Sequence, residues 1–237
     1  ATGHYAKLAY DQAAGRFFVQ RAKDKHKDQS YFLWGLSQEQ LSRTIFPLGN
    51  LLKPEVRKIA KEFNLKVHNK YESQEICFVP SNDYRDILLQ NVDNRSVFQP
   101  GDIVFNGVVV GKHQGYPFYT IGQRKGLGIS YHQPLYVKKI IPETNTVVVD
   151  IEDELATSSL TASQVNFMKF SEIPGDTPFT IKIRYRDNGA EGKCIVLEDS
   201  RLKVEFSSPR RAITPGQSVV VYDGEDVVCG GIIDSTE

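Results

Sequence analysis

Hydrophobic spacing changes part-way along the chain, from helical periods to strand alternation, and this restricts the fold to α/β and β modules in series. From Ala1 to about Val79, short β-rich runs alternate with amphipathic helical patterns, as in an α/β layer. Ser37 and Gln40 have the spacing of a capping box ahead of Leu41 and Ile45, which predicts a helix over 37–45. Pro54 suits a first helical turn. Val56, Ile59, Ala60 and Phe63 then share one face, predicting a helix over 54–63 that Asn64 stops. A shorter helix is expected near 82–90.

Beyond that point the signals are strands and turns. Leu135 to Ile141 and Val147 to Ile151 read as a hairpin joined by a longer loop over 142–146. Phe179, Ile181, Ile183 and Tyr185 alternate with Thr180, Lys182, Arg184 and Arg186, which predicts a strand with one apolar and one basic face. Val219 to Tyr222 and Val227 to Ile233 flank Asp223-Gly224, a pair that supplies the positive φ of a tight turn. Short strands at this spacing suggest a small closed barrel at the C-terminal end. The expected organisation is 1–79, 80–152 and 153–237.

Basic and acidic side chains are equal in number, 29 each, but unevenly placed: +5 over residues 1–80, +1 over 81–150 and −6 over 151–237. A neutral total does not exclude nucleic acid, because phosphates need only a local basic surface. Three cysteines, Cys77, Cys194 and Cys229, lack the paired spacing of a zinc site and fit a reducing compartment, so no tightly bound metal is expected. No apolar run reaches the ~18 residues of a membrane span, and a cytoplasmic protein with no membrane partner is expected. The chain begins at Ala1 and its one methionine is Met168, so residues upstream of Ala1 are expected.

Four segments carry a resemblance in their joint order: Ala-Thr-Gly-His-Tyr-Ala at 1–6, Lys-Asp-Gln-Ser-Tyr-Phe-Leu at 27–33, Gln-Glu-Ile-Cys-Phe-Val at 74–79 and Gly-Gln-Arg-Lys-Gly-Leu-Gly at 122–128. Phe-Pro-Leu-Gly at 46–49 and Thr-Pro-Gly-Gln at 214–217 add to them. Together they resemble the tRNA-specific 2-thiouridylase family from Ala1 to about Ile233. The resemblance implies the tail of an ATP-pyrophosphatase-type α/β domain, then a small, mostly β central domain and a C-terminal β-barrel. It also implies that the phosphate loop and a first catalytic cysteine lie upstream of Ala1.

The chemistry implied is ATP-dependent, with magnesium: the C2 oxygen of the wobble uridine of a tRNA is adenylated, and sulfur from a protein persulfide displaces AMP. Cys77 matches the persulfide position, and a persulfide sulfur-donor protein is the implied partner beside tRNA. An ordinary cysteine, with a pKa of about 8.5, is only slightly ionised at neutral pH unless its site lowers that value. Gly3 matches a position meeting ATP, and His4, Lys27, Asp28, Gln29, Arg184, Tyr185 and Gln217 match positions meeting tRNA. Cys194 and Cys229 match no catalytic position and are expected to be structural.

Read as residues alone, several of these positions have plainer explanations. Cys77 between Ile76 and Phe78 could be a small buried apolar residue, and a charge run such as Arg21, Lys23, Lys25 and Lys27 is usually a solvated face. If that run is extended, its charges share one face. Arg184 and Tyr185 would point to opposite faces of a regular strand. The loop at 122–128 could wrap an anion through backbone N–H groups or be a structural turn. Gly107 to His113 is one residue short of a phosphate loop and lacks its Ser or Thr. A non-catalytic RNA-binding module is the alternative function.

Overall fold

The computed structural model of the protein describes residues 3–66, 68 and 83–236, so Cys77 lies outside the described residues. In chain order the elements are β1 (Lys7–Asp11), β2 (Arg16–Gln20), α1 (Gln38–Ser42), α2 (Lys53–Glu62), α3 (Tyr84–Asn91), β3 (Gly101–Phe105) and β4 (Val108–His113). There follow β5 (Tyr136–Ile141), β6 (Thr146–Asp150), β7 (Ala156–Phe167), β8 (Phe179–Lys182), β9 (Ala190–Val196), β10 (Leu202–Arg211), β11 (Ser218–Asp223) and β12 (Asp226–Thr236). They divide into two compact units: Ala1–Asn69 with Thr157–Pro209 and Thr214–Glu237, and Lys70–Ala156 with Arg210–Ile213.

In the first unit, β7 to β12 form a closed six-stranded barrel, because β12 pairs with β11 on one side and with β7 on the other. The Asp223–Asp226 turn behaves as its Asp-Gly sequence predicts, with Gly224 at φ 58°. The β1–β2 hairpin extends the wall beyond β12, where Gln20 faces Asp226 and donates to its carboxylate at 2.6 Å. Arg16 fastens the hairpin further, donating from Nε to the Met168 carbonyl at 2.8 Å. Phe18, Val19, Leu41, Met168, Val220, Tyr222 and Val227 close a core under this joint. Burying such side chains contributes about 1.5–3 kcal/mol each.

The two helices begin where their signals stand. The Ser37 hydroxyl accepts the Gln40 N–H at 3.2 Å and the Gln40 side chain accepts the Ser37 N–H at 2.9 Å, a complete capping box. α1 is shorter than the predicted 37–45, because Ser42 and Thr44 donate back to the Glu39 and Gln40 carbonyls as the helix ends. Leu41 is fully buried, but Ile45, beyond the last turn, is 74% exposed. α2 ends in a Schellman arrangement: Asn64 is left-handed at φ 54°, and Leu65 N–H reaches the Ala60 carbonyl at 2.9 Å. The shared face of Val56, Ile59, Ala60 and Phe63 is not buried.

The second unit is built on a four-stranded sheet in the order β4-β3-β6-β5, with β3 and β6 parallel. Asn106 and Gly107, at φ 49° and 77°, make the β3–β4 turn, which needs positive φ twice. The 107–113 stretch is therefore turn and strand rather than a phosphate-cradling loop. Its His113 is fully buried, accepts the Gly115 N–H on Nδ1 and lies 3.0 Å from the Asn145 carbonyl through Nε2. Accepting on Nδ1 leaves the proton on Nε2, which donates to that carbonyl and fixes the neutral tautomer. Ile103, Leu127, Leu135, Val137, Val147 and Val149 form the core.

Candidate nucleic-acid interface

Residues 29–36 lie across one side of the barrel, and most of the candidate RNA-contact residues gather along them. Gln29 N–H donates to the Tyr5 carbonyl at 2.8 Å, and Tyr5 N–H donates to the Gln29 side-chain oxygen at 3.0 Å. This reciprocal clamp fixes Tyr5, the neighbour in sequence of half-buried His4, to Gln29. It also commits the amide oxygen of Gln29 to the protein's own backbone. Gly3, one residue further out, is exposed at φ 80°, and no atom of the described residues lies within 4 Å of an added Cβ. Its backbone is open to close approach by a ligand.

Asp28 serves its own loop. Its carboxylate accepts the Ala22 N–H at 2.9 Å, the Ser30 N–H at 3.3 Å and the Ser30 hydroxyl at 2.8 Å. Lys27 N–H closes the preceding turn onto the Asp24 carbonyl at 3.1 Å. Further along, Tyr31 donates its hydroxyl to the Ser218 carbonyl at 2.8 Å, and Trp34 Nε1 donates to the Ser218 hydroxyl at 3.0 Å. Gln217 immediately precedes that residue, at the end of a Thr214–Gln217 turn whose Gly216 takes φ 83°.

Arg184 and Tyr185 arrive by a different route from the one their alternation predicts. β8 ends at Lys182, and a turn follows in which Asp187 N–H bonds to the Arg184 carbonyl. The Asp187 carboxylate accepts the Ile183 and Gly189 N–H groups at 3.2 and 3.1 Å. Off the strand, the pair is released from opposite faces. Arg184 is exposed, while the Tyr185 ring packs 4.7 Å from Phe32 and 6.4 Å from Tyr31. Burial raises the Tyr185 phenol above its usual range, with Asp28 adding to the rise and Lys27 opposing it, so these three lie in one electrostatic neighbourhood.

The 21–27 stretch is not an extended stripe, since β2 ends at Gln20 and the chain turns. Arg21 lies 4.1 Å over the Tyr222 ring, Lys23 pairs with Glu55 at 3.3 Å and Lys25 pairs with Glu225. The turn therefore separates the four charges, and Lys23 and Lys25 have acidic partners. Sequence reading passed over Lys182, which donates to the Tyr185 carbonyl at 3.0 Å and lies 5.9 Å from the Tyr31 ring centre. Its ammonium is held below the usual lysine range by burial first and then by Arg21, against the pull of Asp28 and Asp187. Asp187 was also missed, although Asp187-Asn188-Gly189 is a turn signal in its own right.

Family models match most of the chain: the tRNA methyl transferase HUP domain over residues 1–81, the tRNA methyl transferase PRC-barrel domain over 90–150 and the aminomethyltransferase beta-barrel domain over 157–233. The chain is 49% identical over 236 residues to the tRNA-specific 2-thiouridylase MnmA of Salinibacter ruber, covering 98% of this chain and 62% of that protein. It is 46% identical over 234 residues to the protein of the same name from Halothermothrix orenii, covering 98% and 64%. The chain belongs to the tRNA-specific 2-thiouridylase family. It spans less than two thirds of the length of these relatives.

Membership of this family agrees with a HUP-domain portion, a small central β domain and a C-terminal β-barrel. Cys194 and Cys229 sit in the barrel as the family motif leaves them, buried and free. Burial pushes the Cys194 thiol up to about 12, and burial with the neighbouring Cys194 pushes Cys229 well above the usual range. Neither is suited to act as a thiolate at neutral pH.

Proposed function

We propose that the chain is part of a tRNA-specific 2-thiouridylase, which transfers sulfur from a persulfide on Cys77 to C2 of the wobble uridine in tRNA. The observation that carries this reading is the gathering of three stretches far apart in sequence, Lys27 to Gln29, Arg184 with Tyr185, and Gln217, around one segment of one unit. Arg184 offers a fixed charge to phosphate and Tyr185 an aromatic edge to a base. Lys182 and Asp187 hold the backbone that presents them.

ATP, when bound with magnesium, supplies the adenylyl group that makes the C2 oxygen a leaving group, and the open backbone of Gly3 fits close approach by that ligand. Cys77 carries the sulfur. Its terminal persulfide sulfur attacks C2 as AMP departs, and a second thiol then cleaves the S–S bond and is left in a disulfide with Cys77. The partners are tRNA and a persulfide sulfur-donor protein, and the compartment is the cytoplasm. The family models speak of methyl transfer and the relatives' names of thiolation. The Gln-Glu-Ile-Cys-Phe-Val motif favours sulfur, because a persulfide-forming cysteine has no part in moving a methyl group.

The test is to incubate the reduced chain with a sulfane-sulfur donor, digest it and weigh the cysteine peptides. One added sulfur atom is expected on the Cys77 peptide and none on those of Cys194 and Cys229, whose thiols are buried. An unmodified Cys77 under conditions that load a known persulfide enzyme would leave the chain as a non-catalytic RNA-binding module.

A further inference from the structure

Within the second unit, the loop at residues 122–128 has the features of a ligand-facing element that the functional reading above leaves unused. Gly122, Gly126 and Gly128 take φ values of 84°, 77° and 68°. The Gln123 side chain braces the loop from inside, accepting the Thr120 N–H at 3.0 Å and donating to the Lys125 carbonyl at 2.9 Å. The backbone N–H groups of Arg124, Lys125, Gly126 and Gly128 donate to no acceptor among the described residues. Successive unused N–H groups on a braced loop with left-handed glycines form a concavity that favours an anion.

Beside the loop lies a cavity of about 380 Å³, walled by Arg124, Gly126 to Ile129 and Tyr131 to Leu135. That volume falls in the range of about 300–1,000 Å³ usual for small-ligand sites. Among the described residues none of those lining it is acidic. Arg124 and Lys125 are exposed, and their side chains make no ion pair or hydrogen bond among the described residues. Tyr131 is 40% exposed, braced from behind by the buried Phe105 ring at 5.2 Å and flanked by the His132 ring at 4.2 Å. On the other side of the loop a second cavity contains Arg85 and Lys112, but these are paired with Asp83 and Asp102. Among the described residues the uncompensated charge is on the Arg124 side.

Unpaired cations, free backbone donors and a braced, exposed aromatic ring are the combination that holds single-stranded nucleic acid. We infer that this cavity is a second RNA-contact site, taking a phosphate on the Arg124–Gly128 loop and the adjoining unstacked base on Tyr131. The inference rests on the reading of the chain as a tRNA-modifying protein. An acidic peptide would use the same cations but has no flat ring to lay on Tyr131.

The test measures binding of tRNA, a short oligouridylate and a blunt RNA duplex to the whole chain at several salt concentrations. Arg124→Ala with Lys125→Ala, a change that removes no ion pair or hydrogen bond among the described residues, is expected to flatten the salt dependence for tRNA by about 0.7 units in the log–log slope, the value for one single-stranded phosphate. Tyr131→Ala is expected to weaken the oligouridylate roughly tenfold and leave the duplex unchanged, while Tyr131→Phe, which keeps the ring, binds as the parent does. Lys139→Ala, an exposed lysine of the same unit, is the control. A double variant that behaves like Lys139→Ala, while Lys27→Ala with Arg184→Ala still weakens tRNA binding, overturns this inference alone. No tRNA binding by the parent chain overturns the functional reading and this inference with it.

Discussion

Replacing Cys77 with serine in a full-length enzyme carrying this sequence is expected to abolish 2-thiouridine formation while leaving tRNA affinity within about twofold, since phosphate contacts supply most of the affinity and the change removes none of those proposed. Serine nearly preserves size, so the change tests chemistry more than packing. An oxygen cannot hold the sulfane sulfur and cannot end in the disulfide whose formation releases the product sulfur. Loss of a catalytic nucleophile costs orders of magnitude in rate, roughly 10³-fold or more where it has been isolated. The proposed tRNA contacts at Lys27, Arg184, Tyr185 and Gln217 are untouched. Thiolated nucleoside would be quantified by mass spectrometry alongside filter binding of the same tRNA. Residual thiolation above a few per cent of the parent rate, by the same scale of nucleophile effects, would remove Cys77 from the mechanism.

What could be read ahead of the structure was local chemistry with local consequences. Ser37 and Gln40 cap a helix because both partners are three residues apart. Asp223-Gly224 turns a hairpin because one glycine takes φ 58°. Errors arose where two local signals compete or where tertiary contacts decide. The alternation from Phe179 to Tyr185 suggested a strand, yet the Asp187 carboxylate captures the Ile183 and Gly189 N–H groups and bends the chain after Lys182. The basic positions from Arg21 to Lys25 looked like a single face, but Tyr222, Glu55 and Glu225, which settle two of the ion pairs and the ring contact, come from distant elements. Ile45 fitted a helical face and is 74% exposed because Ser42 and Thr44 bond backwards and the helix has ended. The candidate site was legible only through the ordered motifs, because no periodicity brings residue 28 to residue 185.

Asp28 separates two meanings of a motif residue, contact and support, and its removal is expected to act through support. Its carboxylate accepts from Ala22 N–H, Ser30 N–H and the Ser30 hydroxyl. Ser30 is fully buried, and its hydroxyl lies 3.1 Å from that of Tyr222, itself fully buried. Asp28→Ala strands these donors away from water, at about 1–3 kcal/mol for an unsatisfied group, so a loss of about 3 kcal/mol for the set is expected. Asp28→Asn keeps one acceptor oxygen and should lose about half as much, since a neutral acceptor is about half as strong as a charged one. Trp34 is the one tryptophan of the chain and rests on Ser218 in the same unit, so its fluorescence in urea reports this unit. Released from Asp28, the turn carrying Lys27 and Gln29 loses its fixed position relative to Tyr185, and tRNA affinity should fall in step with the urea midpoint across the Ala and Asn variants. If affinity drops while the Trp34 midpoint stays at the parent value, Asp28 touches tRNA directly and the support role assigned to it is wrong.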